Sequence, residues 1–426
     1  MAKLTVAVIG AGSRGNSYSN YFKKFPDEGQ VVAVAEPRKD YRARLAAQHG
    51  IPSERQFRDW RKLVACPKLA DAAFLCTPDR LHHRPAIALA GLGYHLLLEK
   101  PMAPTLKQCR QIAEAVANAG VMCAVCHVLR YTNQARAIRQ MIADGLIGDV
   151  ANIQLLEQVG YWHQAHSFVR GNWRNERESS SMLLAKCCHD LDWISFFAAS
   201  PCVKIGSYGS LMHFTRARQP AGAADRCTAC PPAVERNCPY SAVRYYLEVM
   251  KGRETTWPSA VLTLDQTPEG IGKALETGPY GRCVYACDND VVDHQVVSME
   301  FASGATASHT MTAFTLKGNR LLRIHGTRGE IIYDDAGVTH NDFLTRSSRL
   351  VDTSPKDQTA ASGHGGGDFG LVRGFVAALR QNDPSRIDTD VQTSLATHAM
   401  VFAAEEARKK NKSVTMTGKF DVQRPA

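Results

Sequence analysis

The feature that most restricts this chain is Gly10-Ala11-Gly12-Ser13-Arg14-Gly15, directly behind the apolar run Leu4–Ile9 (LTVAVI). Between a strand and a helix, glycines at that spacing do three different things. The first permits the tight turn, the second lets backbone approach a pyrophosphate, and the third lets helix and strand pack closely. The diphosphate then rests at the positive end of the helix. Such a pattern alone also fits a plain glycine turn. Here it follows a strand, opens a helix, and is followed by Glu36, which closes the β-branched run Val31–Ala35 21 residues beyond Gly15. This combination predicts a dinucleotide site. Glu36 is placed to accept ribose hydroxyls, which favours NAD over its 2′-phosphorylated form. Arg38 is placed to pair with such a phosphate or to lie on the adenine.

The next hundred residues repeat the same rhythm. Ala72–Cys76, Tyr94–Leu98 and Met122–Val125 are short apolar strands, with helical stretches at Asp40–His49 and Leu106–Ala119. Strands alternating with helices imply crossover connections and a doubly wound parallel sheet, the Rossmann arrangement, over residues 1–127. After Tyr131 the texture changes. A helix is expected at Gln134–Asp144, then extended stretches at Val150–Gln158, Val203–Gly209, Val296–Phe301, Ala305–Phe314 and Leu321–Ile324. Period-two alternation, as in Val297, Met299 and Phe301 against Ser298 and Glu300, predicts a large, open, mainly antiparallel sheet in an α/β domain over 128–368. Residues 216–277, rich in Cys, Pro, Gly and charge, form an expected insertion, and 369–426 end the chain in helices.

In 426 residues, 44% hydrophobic and 22% charged, there is material for two substantial cores. Apolar runs are far shorter than a membrane span. No cationic stretch with an apolar core and cleavage site opens the chain, so a cytoplasmic protein is expected. Thirteen cysteines then read as reduced thiols. The net charge of +10 fits a solvated basic surface or the steering of an anionic cofactor and substrate. Nucleic-acid and membrane partners are not expected, because no compact Lys/Arg run interleaved with aromatics occurs.

Several residues fall at the carboxyl edge of the expected parallel sheet, where ligands of doubly wound folds bind. Thr77 and Pro78 close one strand, and Asp79–His83 would run beside the nicotinamide. His82 is a candidate contact there, although an exposed loop position accounts for it and His83 more simply. Glu99-Lys100-Pro101 closes another strand. A lysine at that edge can hold a substrate hydroxyl and exchange its proton, although the tripeptide alone is an ordinary charged turn.

The order of glycine fingerprint, acidic residue, Thr-Pro, Glu-Lys-Pro, and then His189 within Ala185-Lys186-Cys187-Cys188-His189-Asp190-Leu191-Asp192 resembles the glucose–fructose oxidoreductase/inositol dehydrogenase/MocA family. The likeness runs over essentially the whole chain, and its tail Asp390–Lys409 resembles the family's closing helix, packed back on the first domain. The resemblance implies NAD-dependent hydride transfer at a secondary alcohol carbon of a sugar or glycoside, with Lys100 and His189 as the catalytic pair. It also implies a homodimer or homotetramer built on the exposed sheet. Where many members carry an aspartate four residues before the histidine, this chain has Ala185, followed by Lys186. On one helix Lys186, His189 and Asp190 share a face, which makes Lys186 a third catalytic candidate and Asp190 a replacement carboxylate. Asp192 is expected to face a helix interior.

Ahead of that helix, an extended stretch contains Tyr161, Trp162, His163, His166 and Arg170, then Trp173. Aromatic planes stack on sugar faces, and Arg and His donate to hydroxyls or anions; ordinary core packing is the competing account. Gly363–Asp368 could place His364 or Asp368 over the pocket, or could simply lead into a helix. Cys227-x2-Cys230-x7-Cys238 has the spacing of a structural zinc site, with Cys283, Cys287 or His213 as fourth ligand; free thiols or, less favoured, an iron–sulfur centre are the alternatives.

Three functions remain open. One is a net NAD-dependent dehydrogenase or reductase. Another is a glycosidase working by oxidation, elimination, water addition and re-reduction, with an anionic glycoside as one candidate substrate. The last is a sensor that holds NAD(H) without turnover.

Overall fold

A computed structural model describes residues 3–354 and 363–416. The outer ends of the expected first and last units, residues 1–2 and 417–426, lie outside the described residues, as do 355–362.

Leu4–Ile9 (β1), Gly29–Ala35 (β2), Gln56–Phe57 (β3), Ala72–Leu75 (β4), His95–Leu98 (β5) and Cys123–Val125 (β6) form one parallel sheet in the order β3-β2-β1-β4-β5-β6. The order reverses direction between β1 and β4, and ligands of such sheets bind at that reversal. Val6, Val8 and Phe74 pack on one face and Ala7, Ile9 and Leu75 on the other, so both faces are buried. That is why these strands read as unbroken apolar runs.

The second sheet has nine strands in the order β14-β13-β12-β11-β7-β10-β9-β8-β15. Their ranges are Val150–Gln158 (β7), Cys202–Ser210 (β8), His294–Phe301 (β9), Thr306–Thr312 (β10), Asn319–Gly326 (β11), Gly329–Asp334 (β12), Gly337–Asp342 (β13), Ser347–Val351 (β14) and Val414–Thr415 (β15). β7 and β10 pair in parallel and the other pairs are antiparallel. On β9, Val297, Met299 and Phe301 point inward while Val296, Ser298 and Glu300 point out, matching the expected alternation. The inner face is covered by the helices Asn133–Ala143, Cys188–Ala198 and Val391–Lys410.

One local expectation fails. Tyr161–Arg170 is helical rather than extended: Gly160, at φ +87°, turns the chain out of β7 into a short helix that widens to a π-type turn over Gln164–Arg170. The segment is clamped between sheet and insertion, so burial of its whole circumference hides any helical periodicity. The connection between β8 and β9, residues 211–293, contains the segment 216–277. Its flanks carry apolar residues, including Phe214, Val284 and Tyr285, which build a small core of their own.

The end of the chain joins the two domains. The Thr389 carbonyl accepts from Val125 N–H (2.8 Å), the Thr389 hydroxyl donates to Val125 O (2.7 Å), and Asp390 bridges Ala124, extending the first sheet past β6. The helix Val391–Lys410 then packs on Leu106–Ala119 and on β8, and β15 closes the edge of the second sheet.

Candidate active site

The glycine loop is built as its spacing demands. Gly10 has φ +93°, and a Cβ there would lie 2.5 Å from Cys76 O. A Cβ on Gly15 would lie 2.0 Å from Gly10 O, so helix and strand pack as closely as glycine permits. At Gly12 a Cβ would meet only the far end of one side chain, Arg38 Nη2 at 3.5 Å, so no backbone crowds the loop there. Ser13 is exposed at the start of the helix Ser13–Ser19. The buried Thr77 hydroxyl at the end of β4 has no partner, while Pro78 is exposed beside it. A dinucleotide fits this cradle: open loop backbone, an unmet hydroxyl and a buried carboxylate at the tip of β2.

That carboxylate, Glu36, is already engaged. It accepts from Ala11 N–H at 2.9 Å and from Arg38 Nε and Nη2 at 2.8 and 3.0 Å, with Arg38 lying 3.8 Å over the Tyr41 ring. Burial would raise the Glu36 pKa, but the Arg38 contacts outweigh it and the group stays below its usual range. Ribose hydroxyls and Arg38 therefore compete for one carboxylate.

Arg14 does not reach into the cradle. Its guanidinium donates to Glu99 (2.8 Å), to both oxygens of Asp368 (2.8 and 3.0 Å) and to Tyr18, whose hydroxyl donates to Glu99 (2.7 Å). Burial opposes ionisation of Glu99 and Asp368, yet the Arg14 charge holds both carboxyls below their ordinary values. His364 Nδ1 sits 2.9 Å from Asp368 and its ring 6.3 Å from that of His189. The glycine helix, the turn after β5 and the 363–368 segment are thus locked together beside the cradle.

Lys100 Nζ donates to Ala185 O at 2.6 Å. The chain unwinds at that point: one helix ends at Ala185 and the next starts at Cys188, with Lys186 at φ −115° between them. The backbone carbonyl of Ala185, the residue that stands where the resemblance would put an aspartate, thus holds the lysine. His189 follows on the new helix, buried, with Nδ1 unpartnered. Burial, and after it the charge of Lys100, holds the His189 pKa well below 6.5, so the ring is neutral. Behind it stand His127, at 5.6 Å ring to ring, and His398, at 5.4 Å from His127. Both are buried and likewise depressed, chiefly by burial.

The break in the helix also undoes the expected shared face. Lys186 pairs with Glu157 of β7 (3.0 Å), Glu157 with Arg320 of β11 (3.0 Å), and Arg320 with Asp190 (2.5 Å). Asp190 is fully buried, its carboxyl kept ionised by Arg320 against the cost of burial. It anchors the helix to the sheet and is not available to a substrate. Cys187, Asp190 and His309 form a close trio of metal-donor type, but the Arg320 guanidinium already supplies its cation. Asp192 faces inward as expected and takes two 2.7 Å bonds from Arg130.

The aromatic stretch divides. Tyr161, Trp162 and His163 are half-buried, with Trp162 stacked on Tyr245 (5.7 Å) and tilted against Trp257 (5.5 Å), both from the insertion. His166 and Arg170, expected to meet a substrate, face the insertion instead. His166 bonds to the Tyr246 hydroxyl (2.5 Å) and stacks on Tyr280 (4.6 Å), and burial lowers its pKa to about 3. Arg170 donates to the Arg282 and Tyr240 carbonyls (2.6 and 2.7 Å) and to Cys227 Sγ (3.5 Å). His82, expected to be exposed, is fully buried with its nitrogens 2.6 and 2.8 Å from Thr77 O and Pro101 O, so it clamps the turns after β4 and β5.

Trp173 donates to Asp79 (3.3 Å), which also accepts from the Ser179 and Ser180 hydroxyls (3.0 and 2.9 Å). This buried carboxylate, which ties the first domain's loop to the second domain, had no sequence signal beyond the Ser179-Ser180-Ser181 run. Glu157 and His127 were also missed. His127 was accessible to reasoning, since it follows β6 at the carboxyl edge. Cys227, Cys230, Cys238 and Cys283 line one pocket in the insertion, whereas Cys287 Sγ turns to Cys283 O and His213 Nε2 to the Tyr285 hydroxyl.

Comparison with known proteins agrees with this geometry. Residues 4–127 match the description "Oxidoreductase family, NAD-binding Rossmann fold", and residues 139–416 match the C-terminal alpha/beta domain of the same family. The 1,5-anhydro-D-fructose reductase of Ensifer adhaerens is 31% identical over 39% of this chain and 49% of its own. The 2,7-anhydro-N-acetylneuraminate hydratase of Escherichia coli strain K12 is 25% identical over 45% and 48%. The chain thus spans about half the length of these two relatives. In fold it is similar to a levoglucosan dehydrogenase solved with NADH and L-sorbose, with a TM-score of 0.71 at 18% identity over 97% of this chain and 99% of that one. Among the described residues no helix is long and apolar enough to cross a membrane. With both domains matched and the cradle, lysine and histidine in place, the chain belongs to the Gfo/Idh/MocA family of NAD-binding oxidoreductases.

Proposed function

We propose that this protein transfers hydride between NAD(H) and a secondary alcohol carbon of a sugar or glycoside, with Lys100 and His189 handling the hydroxyl proton. The observation that carries this reading is the 2.6 Å bond from Lys100 Nζ to Ala185 O, which fixes the lysine at the unwound turn leading into the neutral His189. Bound NAD would supply the hydride acceptor. Lys100 holds the substrate oxygen, His189 presents a ring lone pair to its proton, and His364 borders the same space. Tyr161, Trp162 and His163 provide the face on which a sugar ring stacks. Lys186, bound to Glu157, positions the turn rather than exchanging protons. The sugar-related names of the relatives support the substrate class.

A second reading is a redox-neutral reaction at the same site, in which hydride leaves and returns around an elimination and a water addition. The hydratase name of one relative favours it. An assembly of two or four chains through the open sheet belongs to the same proposal. Its outer face exposes the directly paired Tyr208 (71%) and Val296 (40%).

The test mixes protein and NAD with free sugars and nitrophenyl glycosides, neutral and anionic, following NADH and nitrophenol together. NADH without nitrophenol identifies the dehydrogenase, and NAD-dependent nitrophenol release without net NADH identifies the redox-neutral enzyme. Lys100→Met should lower either rate by about 10²–10⁴-fold while leaving NAD binding intact. NAD binding with no turnover on any substrate, and no difference between variant and parent, would instead indicate a sensor.

A further inference from the structure

The cysteine-rich insertion takes no part in the proposed chemistry, yet four of its region's cysteines converge. Cys227 and Cys230 lie on one short helical turn, Cys238 follows the helix Pro232–Glu235, and Cys283 arrives from beyond the second helix of the insertion. All four line one pocket, closed by Val234 and Tyr285.

The charge around this pocket is unbalanced. Arg170 is 3% exposed, and among the described residues it has no carboxylate partner. Its guanidinium meets two carbonyls and Cys227 Sγ, and its charge also bears on Cys238 and Cys283. A buried guanidinium with only neutral acceptors is costly, and it becomes favourable beside a group of negative charge. Four thiolates around a single zinc ion or around a [4Fe–4S]2+ cluster carry a net charge of −2 in either case. The insertion also needs a fastener. Its own buried apolar residues, among them Tyr246, Ile271 and Leu275, make only a small cluster.

We propose that Cys227, Cys230, Cys238 and Cys283 are the thiolate ligands of a resident metal centre that fixes the insertion against the helix carrying Trp162 and Arg170. The spacing of the sulfurs bears on the occupant. Thiolates on tetrahedral zinc stand about 3.8 Å apart at Zn–S distances of about 2.3 Å. Among the described residues, however, the only donor trio within 4.8 Å of one another is Cys187, Asp190 and His309, so no three of these four sulfurs are that close. A cubane, which interposes iron and sulfide between the thiolates, suits the wider cage. The centre is structural: through Tyr245 stacked on Trp162 and Trp257 tilted against it, it holds one wall of the sugar site.

The full chain, purified without oxygen or chelator from iron-supplemented cells, should contain four iron and four acid-labile sulfide per chain, with visible charge-transfer absorption. Cys238→Ala and Cys283→Ala should each lose at least about tenfold of that metal and melt lower by about 5 °C or more, with Cys66→Ala unchanged. One zinc per chain, lost in the same variants, would keep the four-thiolate centre and overturn the cluster. Should either variant fail to fold, native alkylation mapped by mass spectrometry decides. These four cysteines should resist reagent in the parent and react once a chelator and oxidant have stripped the centre. Parent protein free of both metals, or with these cysteines paired as disulfides or freely alkylated, overturns the proposal.

Discussion

His398 offers a sharp test of the buried histidine row behind Lys100. Its Nδ1–H donates to Ser394 O at 2.7 Å and its Nε2 accepts from Met102 N–H at 3.0 Å, in a site with no solvent exposure. A proton on Nε2 would point at another N–H, and burial lowers the pKa to about 3. The unfolded chain, with an ordinary histidine near 6.5, takes up protons that the folded protein refuses. Stability from this group is therefore present above pH 6.5 and lost as pH falls. By linkage the loss is about 0.8 kcal/mol at pH 6 and about 2 kcal/mol at pH 5, relative to pH 8. Glutamine offers the same donor and acceptor without titrating. In urea unfolding at pH 8, 7, 6 and 5, His398→Gln should flatten the stability profile by those amounts, whatever its offset at pH 8. A variant whose loss between pH 8 and 5 equals the parent's would refute the assignment of a neutral, doubly bonded imidazole.

Gly15→Ala places a Cβ 2.0 Å from Gly10 O, and should abolish measurable NAD binding by calorimetry while costing on the order of 1–3 kcal/mol of stability. Glu36→Ser frees Arg38 from its carboxylate; the ratio of NADP to NAD affinity should rise by at least about tenfold, about 1.4 kcal/mol. Arg14→Met leaves Glu99 and Asp368 buried without their cation and should destabilise by about 3 kcal/mol at pH 7 in urea. Because both carboxyls are held low in the parent, that deficit should shrink as the pH falls through the carboxylate range.

The first domain was legible because each strand is buried on both faces and ends at a marked turn, so Leu4–Ile9, Ala72–Leu75 and His95–Leu98 appear as plain apolar runs. The edge strand β14 was not legible. Ser347–Val351 is exposed along most of its length, and an edge that meets solvent on both faces needs no alternation. In the site, Lys100 and His189 announced themselves by motif, but their neighbours did not. Whether Lys186, His189 and Asp190 share a face depends on a backbone break at Lys186–Cys187, and Lys186 and Asp190 are drawn to Glu157 and Arg320 on strands distant in sequence. Arg170 and His166 are the residue types of a sugar site, yet they serve the insertion. Composition shows what a side chain can bind; only the fold decides what it meets.

The stitch between Thr389 and Val125 spans 264 residues of chain. A ribosome adding about 5–20 residues per second takes roughly 13–50 s to cover that distance. For that interval the nascent first domain holds β6 as an open strand edge, which other chains can pair with. Folding during synthesis is therefore exposed to pairing at that edge until the last helix arrives to cover it.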